Sequence, residues 1–137
     1  NLRVPGEDRW DVAWTSSPAI AAILDGVTQS DADWAIYLVP RFERRGAFFV
    51  EAGSVVHETI TSYVPEWTPS EDSAAWLADD LLLIPLREAD GACMGLVSVD
   101  CPASGLRPTN TELDALVAAG QHAAGALALA RSHATAR

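Results

Sequence analysis

The sequence predicts an α+β fold, an antiparallel sheet with helices from both ends of the chain packed on one face. Three observations carry this. Apolar runs of strand length come in pairs separated by turn residues, at 34–52 and 81–100. Segments with helical spacing of apolar residues lie near both ends, at 17–29 and 109–132. No period repeats along the chain, which excludes a solenoid.

Residues 1–16 are polar, carry Trp10 and Trp14, and have an early turn at Pro5-Gly6. Ser17-Pro18 then reads as a helix cap followed by proline in the first turn. Ile20, Ile23, Leu24 and Val27 follow on one helical face, which predicts a helix over 17–29 with a polar break at Asp31–Asp33. Trp34–Val39 is apolar on both parities and predicts a strand covered on both sides, stopped by Pro40. After the polar turn Arg41–Gly46, Ala47–Ala52 returns as its hairpin partner.

Residues 53–80 are ambiguous. Val55–Tyr63 is rich in β-branched residues, and Ser70–Ala78 opens like a short helix with a broken capping pattern. Leu81–Arg87 is a core strand in which Pro85 removes one ladder donor, favouring an edge, a bulge or a strand end. Asp90-Gly91 makes the turn, Ala92–Asp100 returns, and 101–108 is a Gly/Pro loop. Thr109 and Glu112 stand as a capping box. The long helix that follows carries Leu113, Leu116, Val117, Gly120, Ala124, Leu127 and Arg131 along one stripe.

The chain has 137 residues, 49% hydrophobic and 20% charged, the length and composition of one domain with its own core. This excludes disordered, collagen-like and disulfide-scaffold classes. No uninterrupted apolar run reaches the roughly 18 residues of a membrane span, so no membrane partner is expected. With 9 basic against 19 acidic residues the formal charge is −10, which repels phosphate backbones and argues against nucleic acid. The two cysteines, Cys93 and Cys101, would stand roughly 26 Å apart on one extended strand, beyond disulfide reach. They fit a reducing cytosol, no signal peptide is expected at the start, and Asn1 in place of Met predicts either a piece of a longer chain or one missing a disordered start.

Residues 81–131 resemble the end of a GAF domain. The resemblance rests on LLLIPLREADGACMGLVSVD, a Gly/Pro loop, and PTNTELDALVAAGQHAAGALALAR, with Pro85-Leu86, Asp90-Gly91, Gly95–Val99 and Thr109 onward as its landmarks. It covers about 50 residues; the opening elements agree only in order, and 53–80 departs from the pattern. The resemblance implies a single GAF/PAS-like domain over 1–137, with a sheet of about six strands. The first and last helices would cover one face, and a small-molecule pocket would occupy the other. It also implies a non-catalytic sensory or regulatory role in cytosolic signalling, as in cyclic di-GMP systems, upstream of an output such as a diguanylate cyclase or phosphodiesterase. The family's ligands range from cyclic nucleotides to haem and bilins, so no cofactor is named.

Tyr37, Phe49, Tyr63, Trp67 and Trp76 are the candidate ligand-binding residues. Tyr63, Trp67 and Trp76 fall where the family builds its pocket wall, and would stack on a purine or flat cofactor or else cap a small core. Leu113, Leu116, Val117, Gly120, Ala124 and Leu127 are the candidate dimer and signalling stripe, which equally suits packing on the chain's own sheet. Homodimerisation through the terminal helices is the expected partnership, and a degenerate domain that only spaces and dimerises is the alternative. His57 stands without a second histidine at ligand spacing, and the cysteines lack metal-site spacing, so no metal site is expected. Glu58, Asp79 and Asp80 suit a base edge, a cation or a solvated loop. No nucleophile elbow, phosphate loop or paired catalytic carboxylates are present. A relative of the family reduces free methionine sulfoxide with cysteines, a third reading that requires an exposed, low-pKa thiol and a resolving partner.

Overall fold

Turn chemistry and alternating apolar residues set the frame of the molecule, and short capped helices fill the links. The computed structural model describes residues 1–54 and 74–136. In chain order the elements are β1 Leu2–Arg3, β2 Trp10–Asp11, α1 Pro18–Ile23, β3 Thr28–Gln29 and α2 Asp31–Ala35. A 3-10 turn at Pro40–Phe42 leads to β4 Glu43–Arg44, β5 Ala47–Val50, β6 Leu81–Arg87, β7 Cys93–Val99 and α3 Asn110–Thr135. The described strands form one open sheet of seven, ordered β3-β2-β1-β7-β6-β5-β4, with every pair antiparallel. The α+β class stands, with seven strands where about six are expected.

The β6–β7 hairpin is the centre of the sheet. Gly91 adopts φ 92° in its turn, the Glu88 amide donates to the Ala92 carbonyl, and the Ala92 amide donates to Asp90 Oδ1. Pro85 lies inside this central pair, opposite Leu96, rather than at an edge. The register to β5 ends at Leu83, so Pro85 has no ladder partner on that side to satisfy. At the other hairpin, Arg45 (φ 55°) and Gly46 (φ 91°) join β4 to β5 in a two-residue turn of the kind that matches strand twist.

Neighbouring residues of β5 point to opposite faces and divide the core in two. Phe48 and Val50 pack with Trp10, Trp34, Phe42, Leu83 and Leu96. Ala47 and Phe49 pack with Trp76, Leu82, Ile84 and Leu113, under α3. A third cluster, Leu86, Met94 and Ala124 with Leu2 and Leu127, carries the α3 side across to β1.

The segment 31–42 departs from the predicted strand. Ser30 Oγ accepts from the Asp33 amide at 3.2 Å, and Asp33 Oδ2 accepts from the Ser30 amide at 2.8 Å. This complete capping box starts α2 where the acidic residues look like a break. Trp34 then falls on the inner side of a helical turn, and Tyr37, Leu38, Val39 and Phe42 follow it over the first core cluster. The hairpin expected at 34–52 is therefore the shorter one at 43–50.

The N-terminal helix is also shorter than predicted. Ser17 caps it as expected, with its Oγ accepting from the Ile20 amide at 3.2 Å, but it ends at Ile23 and the chain turns through Gly26 (φ 73°) into β3. It buries none of its residues. Because β2 and β3 pair directly on either side of it, α1 closes a loop at the sheet edge and adds no layer. The expectation that both terminal helices cover one face holds only for α3.

Asp31 ties the N-terminal strands to α2. Its carboxylate accepts from Arg3 at 2.7 and 2.9 Å and from Trp10 Nε1 at 2.7 Å. The Arg3 guanidinium and then the Trp10 indole hold it down from 3.8 to about 2. A depressed carboxylate stabilises the fold above its unfolded pKa and loses that contribution as pH falls through the folded value. Asp31→Asn is therefore expected to cost about 1 kcal/mol at pH 7, since solvent screens this half-exposed pair. Urea unfolding of the two proteins should converge between pH 4 and pH 2; a gap that persists at pH 2 would assign the effect to packing.

Candidate functional site

Among the described residues, the candidate ligand-binding residues Tyr37, Phe49 and Trp76 do not share one site. Phe49 and Trp76 lie under α3, their rings 5.9 Å apart, and Trp76 is only 1% exposed. Tyr37 packs on the opposite side of the sheet, 6.4 Å from Trp34, where burial raises its phenol above the ordinary value. Tyr63 and Trp67 lie outside the described residues, as do His57 and Glu58. Phe49 and Trp76 thus fill the core where a stacking platform is expected. A flat ligand would have to open this core cluster to reach them.

The loops beside this pair are closed by a buried ion pair. The Asp80 side chain is 0% exposed and accepts four hydrogen bonds. Two come from the Ala52 and Leu77 amides, at 2.9 and 2.8 Å. The other two come from Arg107 Nε and Nη2, at 2.9 and 3.1 Å. Arg107 also stands 5.4 Å over the Phe49 ring and 3.7 Å from Glu51. Backbone bonds from Trp76 to Gly105 and from Arg107 to Ala74 zip the same two loops together. Asp80 therefore reads as a structural lock; its donors are all protein groups, and neither a base edge nor a cation has access to it.

Neither cysteine is arranged as a nucleophile. Both are free thiols. Cys93 Sγ donates to the Gly95 carbonyl at 3.2 Å, and burial pushes its pKa up. Cys101 is also raised, by desolvation and then by the adjacent Asp100 carboxylate. A thiol redox reaction needs the opposite shift. Among the described residues no three His, Cys, Asp or Glu side chains group as a metal site.

The long helix presents an exposed outer face. Thr109 Oγ1 accepts from the Glu112 amide at 3.2 Å and starts it as expected. The predicted stripe turns inward: Leu113, Gly120 and Ala124 are buried, and Leu116, Val117 and Leu127 pack half-buried against the sheet clusters. The six residues expected to pair two chains cover this chain's own sheet. Two further ties hold the helix there. Asp114 accepts from Arg45 at 2.7 and 2.6 Å, and Arg131 donates to the Arg3 carbonyl at 3.1 Å.

Half a turn away, Ala115, Ala118, His122, Ala126 and Leu129 share the outer face, all exposed, with Leu129 at 61%. α3 is also long and apolar enough, by length and composition, to cross a membrane, a property that reading only uninterrupted apolar runs misses. In this fold its inner stripe lies on β6 and β7. Comparison with family models, with curated proteins and with solved structures gives no match for this chain.

Proposed function

We propose that the chain is a non-catalytic regulatory domain of GAF-like build that pairs with a second copy through the outer face of α3. The pairing would control an attached output such as a diguanylate cyclase or phosphodiesterase, in a cytosolic setting. One observation carries the reading: a helix of 26 residues buries only three of them and turns an Ala-rich face with Leu129 to solvent. Alanines at this spacing let two helix backbones approach closely, and Leu129 supplies the large apolar contact. The β6–β7 hairpin with its Asp90-Gly91 turn, followed by a helix laid on the sheet, supports the GAF-like build.

Within this reading the spacer form is favoured over a purine sensor at the aromatic set, because Phe49 and Trp76 are closed under α3. The test is the molar mass in solution by light scattering and sedimentation. The wild type is expected at the dimer mass at about 100 μM, a concentration at which micromolar pairing is nearly complete. Leu129→Glu is expected at the monomer mass, with stability changed by less than about 0.5 kcal/mol because the side chain is exposed. A wild type that stays monomeric at that concentration would refute the pairing.

A further inference from the structure

After β2 the chain swings out through residues 12–17 into α1 and returns through Gly26 into β3. This path leaves an open groove of about 530 Å³. That volume is in the range of small-molecule sites, roughly 300–1,000 Å³. Its apolar lining includes Val12, Leu24 and Val27. Trp14 also lines it and is 80% exposed, although tryptophan usually lies largely covered. The free ring offers a broad apolar surface and the negative face of its π system.

The charges in the groove point the same way. Asp11 and Asp25 line it, with Arg9 as the opposing cation. The Arg9 guanidinium is already engaged by Glu7 at 2.9 Å and Asp11 at 3.2 Å. Asp25 has no ion pair or hydrogen bond among the described residues. The groove therefore has both an uncompensated carboxylate and an uncovered indole in its lining, on a chain of formal charge −10.

We propose that this groove binds an organic cation, an ammonium carried on an aromatic or apolar body. Asp25 and the Trp14 ring share the charge, and Val12, Leu24 and Val27 receive the body. A phosphate-bearing ligand is repelled by the same carboxylates. The site is independent of pairing through α3, because its test reads binding at named residues and the pairing test reads mass.

The experiment is a titration of the isotopically labelled chain with benzyltrimethylammonium, followed by amide and indole NMR signals. Saturable shifts are expected at the Trp14 indole N–H and at the amides of 12–15 and 24–28. Benzoate, with the same ring and the opposite charge, should leave them in place. Trp14→Ala is expected to weaken binding about tenfold and Asp25→Asn about threefold, in line with a surface cation–π contact and one screened charge. Both side chains are exposed, and retained dispersion of the spectrum reports that each variant folds. The proposal is overturned by no saturable shift up to about 50 mM, a concentration that reveals even very weak sites. Equal shifts with benzoate, or unchanged affinity in both variants, would overturn it as well.

Discussion

Asp80→Ala is expected to destabilise the protein by about 3 kcal/mol or more, enough to lower its melting temperature by roughly 10 °C. The magnitude follows from what remains. Removing the carboxylate strands the Ala52 and Leu77 amides and leaves Arg107, three-quarters covered, without its partner. Breaking a buried pair by deleting one member costs far more than the pair's own net worth, because the surviving charge stays desolvated. Arg107→Ala should cost less, about 1–2 kcal/mol, since Asp80 retains two backbone donors. Urea unfolding of the two single variants and the double variant closes the cycle. An Asp80→Ala cost below about 1 kcal/mol would mean that the loops 74–80 and 101–107 are held by their backbone bonds alone.

That lock shows where reading the chain stops being sufficient. Asp80 and Arg107 are 27 residues apart, and nothing in either neighbourhood marks them as partners. Local chemistry, by contrast, carries far. The boundaries of β6 follow from its apolar run, the β6–β7 turn from Asp90-Gly91, and the start of α3 from Thr109. The segment 34–39 fails because a short run apolar on both parities suits a covered strand or a helical turn equally. The deciding signal lies upstream, in the Ser30–Asp33 box. The stripe on α3 includes the helix's buried residues, Leu113, Gly120 and Ala124. Periodicity reports that a face is apolar and says nothing of whose surface covers it. The same limit explains α1, whose apolar spacing is real and whose residues are all unburied.

Gly120 decides how firmly α3 sits on the sheet, and its substitution is expected to have the second large effect. A Cβ at this position would stand 2.7 Å from Ile84 Cγ2 and 3.5 Å from the Pro85 carbonyl oxygen. Valine adds two further carbons, and overpacking of this kind costs about 1–3 kcal/mol. Relief of the glycine's helix penalty returns at most about 1 kcal/mol of that. Gly125, five residues on, is the internal control. A Cβ there meets nothing within 4 Å, so Gly125→Ala is expected to stabilise by up to about 1 kcal/mol through helix propensity alone. Opposite signs at two glycines of one helix would show that the Ile84–Gly120 contact, and not helix formation, limits the docking of α3. Hydrogen exchange then locates the damage: in Gly120→Val the β6 amides beneath the helix should lose protection, whereas the β4–β5 turn, tied to α3 by Arg45–Asp114, should change less. If Gly120→Val leaves both stability and β6 protection unchanged, the helix shifts freely over Ile84. The inner stripe could not then transmit the state of the outer face to the sheet.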